Sequence, residues 1–414
     1  MKKKELYIFN EISRAAVYGI GSYIDQLIKA LKDTEWKINI VLLYAQGNEI
    51  EITEKNRYRQ INIPSPFEKE NSNLEQYYLK IIPYILRIVI SEDSETEYIF
   101  HMNFMINSYL VKRLKKYFTC KIISAFHYTD WSLVLSGDYS RLEAIIKKSK
   151  REVKTDLEKA ILKRFKEDLK IINRVDCIIF VAQYTLKTYC MAGNIHAKKI
   201  AVIHNALEDS YVPLLNEEKL LLRKKYLLEE RVKIILFAGR LDEIKGVTFL
   251  IQAFKMVLTT NPDTCLFIAG DGDFDLLLKE SADCWTKIYF TGLIEKKKIF
   301  ELYNIADIGV VCSLHEEFGL VAIEMLMHAL PVIVTQTGGL DEIVEDGISG
   351  LKVPIRTIQG NRQVDVKQLA EKIRFLLDNP VNAQELGENG RKRFLEKFEL
   401  SIFKDKMLNL YENL

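Results

Sequence analysis

The residues best placed for chemistry lie in the second half of the chain. An apolar run at 232–238 (VKIILFA) is followed by Gly239-Arg240-Leu241-Asp242-Glu243-Ile244-Lys245-Gly246. Arg240 and Lys245 leave a strand end between two glycines, with a helix to follow. A guanidinium offers a planar fork and an ammonium a point charge, so the two together suit a diphosphate. Two solvated loop cations would look the same in sequence. Further on, 313–325 reads Ser-Leu-His-Glu-Glu-Phe-Gly-Leu-Val-Ala-Ile-Glu-Met, with Glu316 and Glu324 eight apart and Phe318-Gly319 between them. A helix starting near Gly319 would offer free backbone N–H groups and a positive dipole end to an anion. Glu324, about a turn and a half into that helix, could accept hydrogen bonds from sugar or ribose hydroxyls. Simple capping also places paired Glu at a helix start. In the first half, His127 follows the run 121–126 (KIISAF) and His101 closes the run 98–101 (YIFH). A strand-end histidine is as ready for a structural role as for a chemical one.

Three weaker patterns accompany these. Gly338-Gly339, after the run 331–334 (PVIV), would allow close approach of backbone to a ligand, or make an ordinary turn. Asp271-Gly272-Asp273 is a D-x-D string whose carboxylates suit Mg²⁺ or Mn²⁺. It follows the run 264–269 directly, as a turn would, and no metal is expected there. The six cysteines (Cys120, Cys177, Cys190, Cys265, Cys284, Cys312) include no C-x-x-C pair, which points to reduced core thiols rather than zinc or redox chemistry.

Short Val/Ile/Leu/Phe runs must position these groups. They fall at 5–9, 38–43, 98–101, 121–126, 176–181 and 200–203, then at 232–238, 264–269, 287–290, 307–311 and 331–334. Helical patterns separate them, which predicts two doubly wound α/β domains with parallel sheets buried on both faces and ligands at the carboxyl strand ends. The junction is placed near His204–Pro213. A length of 414 residues agrees with two domains, at about 150 residues per domain. Hydrophobic residues at 48% and charged residues at 28% exclude a disordered chain, a collagen-like repeat and a disulfide-stapled miniprotein. A net charge of +2 carries no nucleic-acid signature. The halves differ, with 33 basic and 24 acidic side chains in 1–205 against 26 and 33 in 206–414. Residues 141–170 hold 11 basic and 6 acidic side chains in a long helical stretch. That is a solvated charged helix, or a basic face for anionic lipid or an acidic acceptor. Residues 355–363 (IRTIQGNRQ) read as a surface loop, and a last helix over 401–413 carries enough apolar residues to dock on something. The N-terminal apolar run, Leu6–Phe9, is too short for a signal peptide, and 81–90 is too short to span a bilayer. A cytoplasmic protein is expected, with peripheral contact at the inner face of a membrane left open.

The series GRLDEIKG, IAGDGD, FTGLI, EEFGLVAIE and TGGLDEIVEDGISGL, in this order, resembles family-4 glycosyltransferases of GT-B architecture, most strongly over about 230–350. In the first half Gly19-Ile20-Gly21 opens a helix after the first strand, and Val202-Ile203-His204-Asn205-Ala206 resembles the family's interdomain I-P-N-G segment. His204 and Ala206 depart from its Pro and Gly. The resemblance implies two Rossmann-like domains facing across a cleft, with 1–205 binding acceptor, 206–395 binding donor and 396–414 packing back on the first. Arg240 and Lys245 would hold the donor diphosphate, Glu316 the transferred sugar and Glu324 the ribose. Backbone N–H groups of Phe318, Gly319 and Leu320 would support sugar and phosphate, and Leu293 and Ile294 would line the base pocket. Gly19 and Gly21 would let the first loop approach the phosphates. His127 matches the family's active-site histidine, bridging donor sugar and phosphate, with Asp130 orienting it or the acceptor. The implied reaction is hexosyl transfer from a nucleotide-sugar, UDP-sugar ahead of GDP-sugar, to the hydroxyl of a glycan, a lipid-linked sugar or a peptide. It would proceed with retention and without metal or cofactor, the leaving diphosphate being neutralised by cations and helix dipoles as domain closure excludes water. A sugar phosphorylase, a nucleotide-sugar epimerase of the same architecture and a catalytically silent carbohydrate-binding partner are the alternatives. A NAD dehydrogenase does not fit, because Gly19-x-Gly21 lacks the third glycine. The stretch KELYIFNEISRAAVYGIGSYIDQL also looks like a bacterial subgroup associated with peptide-modification gene sets, which would make the acceptor a peptide.

Overall fold

Continuous apolar runs bounded by polar turns build two parallel sheets in the computed structural model, which describes residues 4–12, 19–65, 74–89, 96–103, 108–149, 151–191, 195 and 199–414. The first sheet holds β1 (Lys4–Glu11), β2 (Lys37–Ala45), β3 (Glu51–Glu54), β4 (Arg59–Pro64), β5 (Glu97–Met102), β6 (Cys120–Phe126), β7 (Cys177–Phe180) and β8 (Lys199–Val202). Their order is β3-β4-β2-β1-β5-β6-β7-β8, parallel throughout except for β3, which runs antiparallel to β4 at the edge. The chain winds outward from β1 through β2 and β4, then returns to β5 on the other side of β1. The winding therefore reverses between β1 and β5, where the carboxyl strand ends open a crevice. The edge pair β3–β4 has no counterpart in the sequence reading, because β3 is exposed at every position and β4 buries only Ile61 and Ile63.

The second sheet holds β9 (Lys233–Ala238), β10 (Thr264–Ala269), β11 (Ile288–Gly292), β12 (Ile308–Val311), β13 (Val332–Thr335) and β14 (Leu351–Val353). Its order is β11-β10-β9-β12-β13-β14, all parallel, and the winding reverses between β9 and β12. Ile235, Phe237, Leu266, Ile268, Ile308, Val310 and Ile333 pack with Leu250, Ile251 and Phe254 of helix Val247–Leu258 and with Leu369, Ile373 and Leu376 of helix Val366–Asp378. Each such side chain stabilises the fold by about 1.5–3 kcal/mol on full burial. Residues 355–363 are not the surface loop expected. They form an antiparallel hairpin, β15 (Ile355–Ile358) and β16 (Asn361–Val364), turned at Gln359-Gly360 with φ of 50° and 80°. Two successive positive φ values match the twist of a two-residue hairpin turn.

The chain divides into two compact units, Met1–Trp131 with Tyr139–Asn205 and Leu400–Leu414, and Ser132–Asp138 with Ala206–Glu399. Helix Leu400–Glu412 completes the first unit by burying Phe403, Met407, Leu410 and Tyr411. Phe403 meets the Tyr23 ring at 5.5 Å, Tyr411 meets Trp36 at 5.6 Å, and the Tyr411 hydroxyl lies 2.7 Å from Nδ1 of His101. His101 is wholly buried, its Nε2 3.4 Å from the Tyr23 hydroxyl, and burial followed by His127 pushes its pKa down to about 3. His101 thus fastens a helix to the sheet. The basic stretch 141–170 is two helices, Tyr139–Lys147 and Asp156–Ile172, the second capped by Thr155, whose hydroxyl accepts from Glu158 N at 3.2 Å. Lys147, Lys148, Lys159 and Lys170 pair with Glu143, Glu158, Asp156 and Glu167, so much of its positive charge is compensated locally. No helix among the described residues is long and apolar enough to cross a membrane.

Tyr411→Phe strands the buried Nδ1 of His101 and should cost about 1–3 kcal/mol in urea unfolding of the first unit. An unfolded chain protonates His101 near 6.5, whereas the folded chain resists until about 3. The stability that neutral His101 protects is therefore complete above pH 6.5 and declines as pH falls towards 3. Urea midpoints should drop between pH 7 and pH 5, and drop less in His101→Leu; equal slopes would refute the assignment.

Candidate functional site

The reversal between β9 and β12 gathers the charged residues singled out in the second half. After β9 the chain makes one 3₁₀ turn, Glu243–Lys245, and passes through Gly246 in the left-handed region at φ 69°. A Cβ at Gly246 would lie 2.2 Å from the Cys312 carbonyl oxygen, so only glycine lets this loop press on the end of β12. Leu314 N donates to Ile244 O at 2.7 Å, and the Cys312 thiol lies 3.3 Å from the carbonyls of Lys245 and Gly246. Fixed in this way, Lys245 forms an ion pair with Oε1 of Glu316, to which the Ser313 hydroxyl also donates at 2.9 Å. Each charged side chain of the pair is only 17% exposed. Burial alone would raise the Glu316 carboxyl; the Lys245 charge, its hydrogen bond and that of Ser313 outweigh it and hold the group below the usual range. Both contacts fall on Oε1, which leaves Oε2 to accept from a hydroxyl. Arg240 is half-exposed and pairs with Asp242 at 2.9 Å.

Gly338 and Gly339 make a close approach to the chain's own backbone. A Cβ at Gly338, φ 47°, would sit 2.1 Å from Glu316 O, one at Gly339 would sit 2.4 Å from Phe318 Cα, and Gly339 N donates to Glu316 O at 2.9 Å. Their loop is therefore a backing wall for 316–318. Gly319, φ 116°, precedes helix Leu320–Met327, and its carbonyl accepts from Ala322 N at 3.0 Å, so the helix start offers the N–H groups of Leu320 and Val321 rather than the whole first turn. Phe318 turns its ring inward onto Phe398 at 5.9 Å. Inside that helix Glu324 accepts from the Tyr303 hydroxyl at 2.9 Å, and Lys296 lies 3.9 Å away. Burial raises its carboxyl against both of these influences. Leu293, 64% exposed, and half-buried Ile294 follow the edge strand β11. Asp271 accepts from Gly272 N at 2.9 Å and Asp273 from Asp275 N at 3.2 Å, so the D-x-D carboxylates secure their own turn.

In the first unit half-buried His127 stands just past β6, its Nε2 2.9 Å from Oδ1 of Asn103, which follows the neighbouring strand β5. The Tyr23 ring meets the imidazole at 4.5 Å and 65°. Burial pushes the pKa of His127 down to about 3 and keeps it neutral. Asp130, expected to orient His127 or the acceptor, instead pairs with Arg164 at 3.3 Å. Gly19 and Gly21 occupy the first turn of helix Gly19–Ala30, and a Cβ at Gly19 would meet nothing within 4 Å. The loop before them, 13–18, lies outside the described residues.

The structure thus brings Lys245 and Glu316 into contact, keeps Arg240 on the same loop as Lys245, and sets Glu324 about a turn and a half beyond Gly319. Gly19, Gly21 and His127 belong to the other unit. Sequence reasoning overlooked three side chains that hold the candidates in place: Ser313, Tyr303 and Asn103. The signal for Asn103 was available, since it sits at a strand end just as His127 does.

Residues 218–393 match the family model for glycosyl transferases group 1. The chain is 31% identical over 204 residues to the uncharacterized glycosyltransferase MJ1607 of Methanocaldococcus jannaschii, covering 46% of this chain and 52% of that protein. It is 27% identical over 252 residues to a GDP-mannose-dependent phosphatidylinositol monomannoside mannosyltransferase of Corynebacterium glutamicum, covering 59% and 64%. The chain therefore spans about half to two thirds of the length of these curated relatives. Sucrose-phosphate synthase from Thermosynechococcus elongatus superposes with a TM-score of 0.77 at 21% identity over 99% of this chain and 98% of that one. Anabaena Alr3699/HepE in complex with UDP and glucose superposes with a TM-score of 0.70 at 16% identity over the whole of both chains. Likeness at such identities shows the fold, GT-B with two Rossmann-like units.

Lys245→Ala leaves Glu316 enclosed without its cation, and Glu316→Gln should relieve that loss. A double-mutant cycle in urea should give a coupling of about 0.5–3 kcal/mol. Additive effects would show the pair to be energetically idle.

Proposed function

We propose that the chain transfers a hexose-type sugar from a nucleotide-sugar donor to an acceptor hydroxyl. The observation that carries this reading is the Lys245–Glu316–Ser313 cluster at the β9/β12 reversal, inside the stretch that matches group 1 glycosyl transferases. The donor binds the second unit. Its diphosphate takes the charge of Lys245 and Arg240 and the N–H groups at the start of helix Leu320–Met327. Sugar hydroxyls reach Oε2 of Glu316, ribose hydroxyls reach Glu324, and Leu293 and Ile294 flank the base. As the glycosidic bond to the diphosphate breaks, negative charge grows on the leaving group and positive charge on the sugar. Cations and N–H dipoles fixed in advance favour that charge distribution over the ground state. No divalent metal takes part, a reading supported by Asp271 and Asp273 being committed to turn N–H groups. Transfer proceeds with retention, as the family resemblance implies. The first unit, with His127, receives the acceptor: a glycan, a lipid-linked sugar or a peptide. The UDP and glucose bound to the Anabaena neighbour support a UDP-sugar, while the relative named for GDP-mannose makes the base the first thing to test.

Thermal unfolding with UDP, GDP and ADP should show one nucleotide raising Tm, since a ligand at a hundred times its Kd adds about 2.7 kcal/mol to native stability. With the matching sugar donor, Arg240→Ala combined with Lys245→Ala should lower transfer by at least about a hundredfold. Full turnover by that variant sinks the reading. A requirement for free phosphate would identify a phosphorylase instead. Glu316→Ala should lose transfer while nucleotide binding survives, and EDTA should leave the rate unchanged.

A further inference from the structure

We propose that Asn103 is the positioning residue for His127, its side-chain oxygen holding the imidazole as the Nε2–H tautomer and leaving Nδ1 as a hydrogen-bond acceptor. The proposal rests on the reading of His127 as a residue that meets substrate. Asn103 turns Oδ1, which carries no proton, towards Nε2 at 2.9 Å, and with the amide in this orientation the proton between them belongs to the imidazole. A neutral imidazole has one N–H, and once Nε2 holds it Nδ1 has only a lone pair.

Three features of the surroundings make this an arrangement rather than a chance contact. Asn103 is wholly buried at the β1/β5 reversal, and its backbone N–H donates to Phe9 O at 2.9 Å, which fixes where its side chain starts. The amide nitrogen of the same side chain is buried without a hydrogen-bond partner among the described residues. A position selected for packing alone would be better served by an apolar residue of that size, because a buried unpaired donor is a liability. What the amide achieves is therefore done through its oxygen. On the other side the Tyr23 ring meets His127 at 4.5 Å, and Tyr23 is itself braced by Phe403 at 5.5 Å and by His101. The imidazole is thus held between a hydrogen bond and an aromatic edge. Burial keeps it uncharged, so the tautomer persists across the neutral pH range.

The consequence is a change of role. An Nδ1 lone pair takes a hydrogen bond from a hydroxyl and has nothing to donate to a phosphate oxygen. His127 therefore recognises a sugar hydroxyl, and the implied bridge from histidine to phosphate is not made by this ring.

The test uses the intact chain with ¹⁵N-labelled histidine and no ligand. The parent should show His127 with a protonated Nε2, a bare Nδ1 and a slowly exchanging ring proton. Asn103→Leu should lose the slow proton, and Asn103→Asp, which keeps the oxygen, should retain it. In turnover Asn103→Leu should lower kcat by about a hundredfold, with KM for the donor nearly unchanged and Tm no lower than the parent's, and Asn103→Asp should restore part of the rate. A protonated Nδ1 in the parent overturns the proposal, as does a loss of turnover in Asn103→Leu that merely follows a lowered Tm. Should Asn103→Leu fail to fold, the parent and Asn103→Asp spectra still decide. Full transfer by His127→Ala would overturn the reading of His127 as a substrate contact, and the tautomer signal would stand or fall separately.

Discussion

An ammonium and a carboxylate shut away together at the end of a parallel sheet set the terms for the rest of the second unit. Such a pair contributes little net stability, because removing both ions from water offsets most of their attraction. It persists only where backbone holds the two carriers within reach, and here the carriers are 71 residues apart. Gly246 pressed on Cys312, and Gly338-Gly339 pressed on 316–318, are the two close approaches that hold them. Ser313 and the bond from Leu314 to Ile244 lock the geometry between. The result is a cation already stripped of much of its water, next to an acid kept ionised by it. On the proposed reading, a bound anion would meet a charge that has little hydration left to lose.

The extent to which this could be read from sequence follows from what each feature depends on. Strands β9, β10, β12 and β13 are buried at nearly every position, so they stand out as unbroken apolar runs. β3, β14 and the β15–β16 hairpin are short, at an edge or exposed, and carry no such run. Arg240, Lys245, Glu316 and Glu324 could be singled out one by one, since residue type and strand ends are local. That Lys245 and Glu316 touch is a fact of tertiary register, which no spacing encodes. The glycine pair shows the same limit: a missing Cβ reveals that something comes close, but not whether it is ligand or the chain's own backbone. Ser313, Tyr303 and Asn103 escaped because serine, tyrosine and asparagine are ordinary in turns and helices until a partner makes them otherwise.

The two units solve the problem of holding a polar group at a strand end in different ways. In the second unit the group is an ion, and the solution is a counter-ion with glycine-tight backbone around it. In the first the groups are neutral imidazoles, and the solution is hydroxyls, an amide and aromatic edges. Neutral rings need no counter-charge, so His101 and His127 lie close to one another without repulsion.

The return of helix Leu400–Glu412 to the first unit bears on how the chain comes into being. A nascent chain leaves the ribosome in order, and N-terminal domains ordinarily fold first. Here the pocket around Trp36, Tyr23 and His101 stays open to water until residues near Tyr411 have emerged, after the whole of the second unit. The second unit has its sheet complete by Val353 and its helices by Lys397, so it closes while the first still waits. The order of synthesis and the order of completion are reversed. An interrupted translation product would carry a finished second unit together with an unfinished first one, its apolar pocket still exposed.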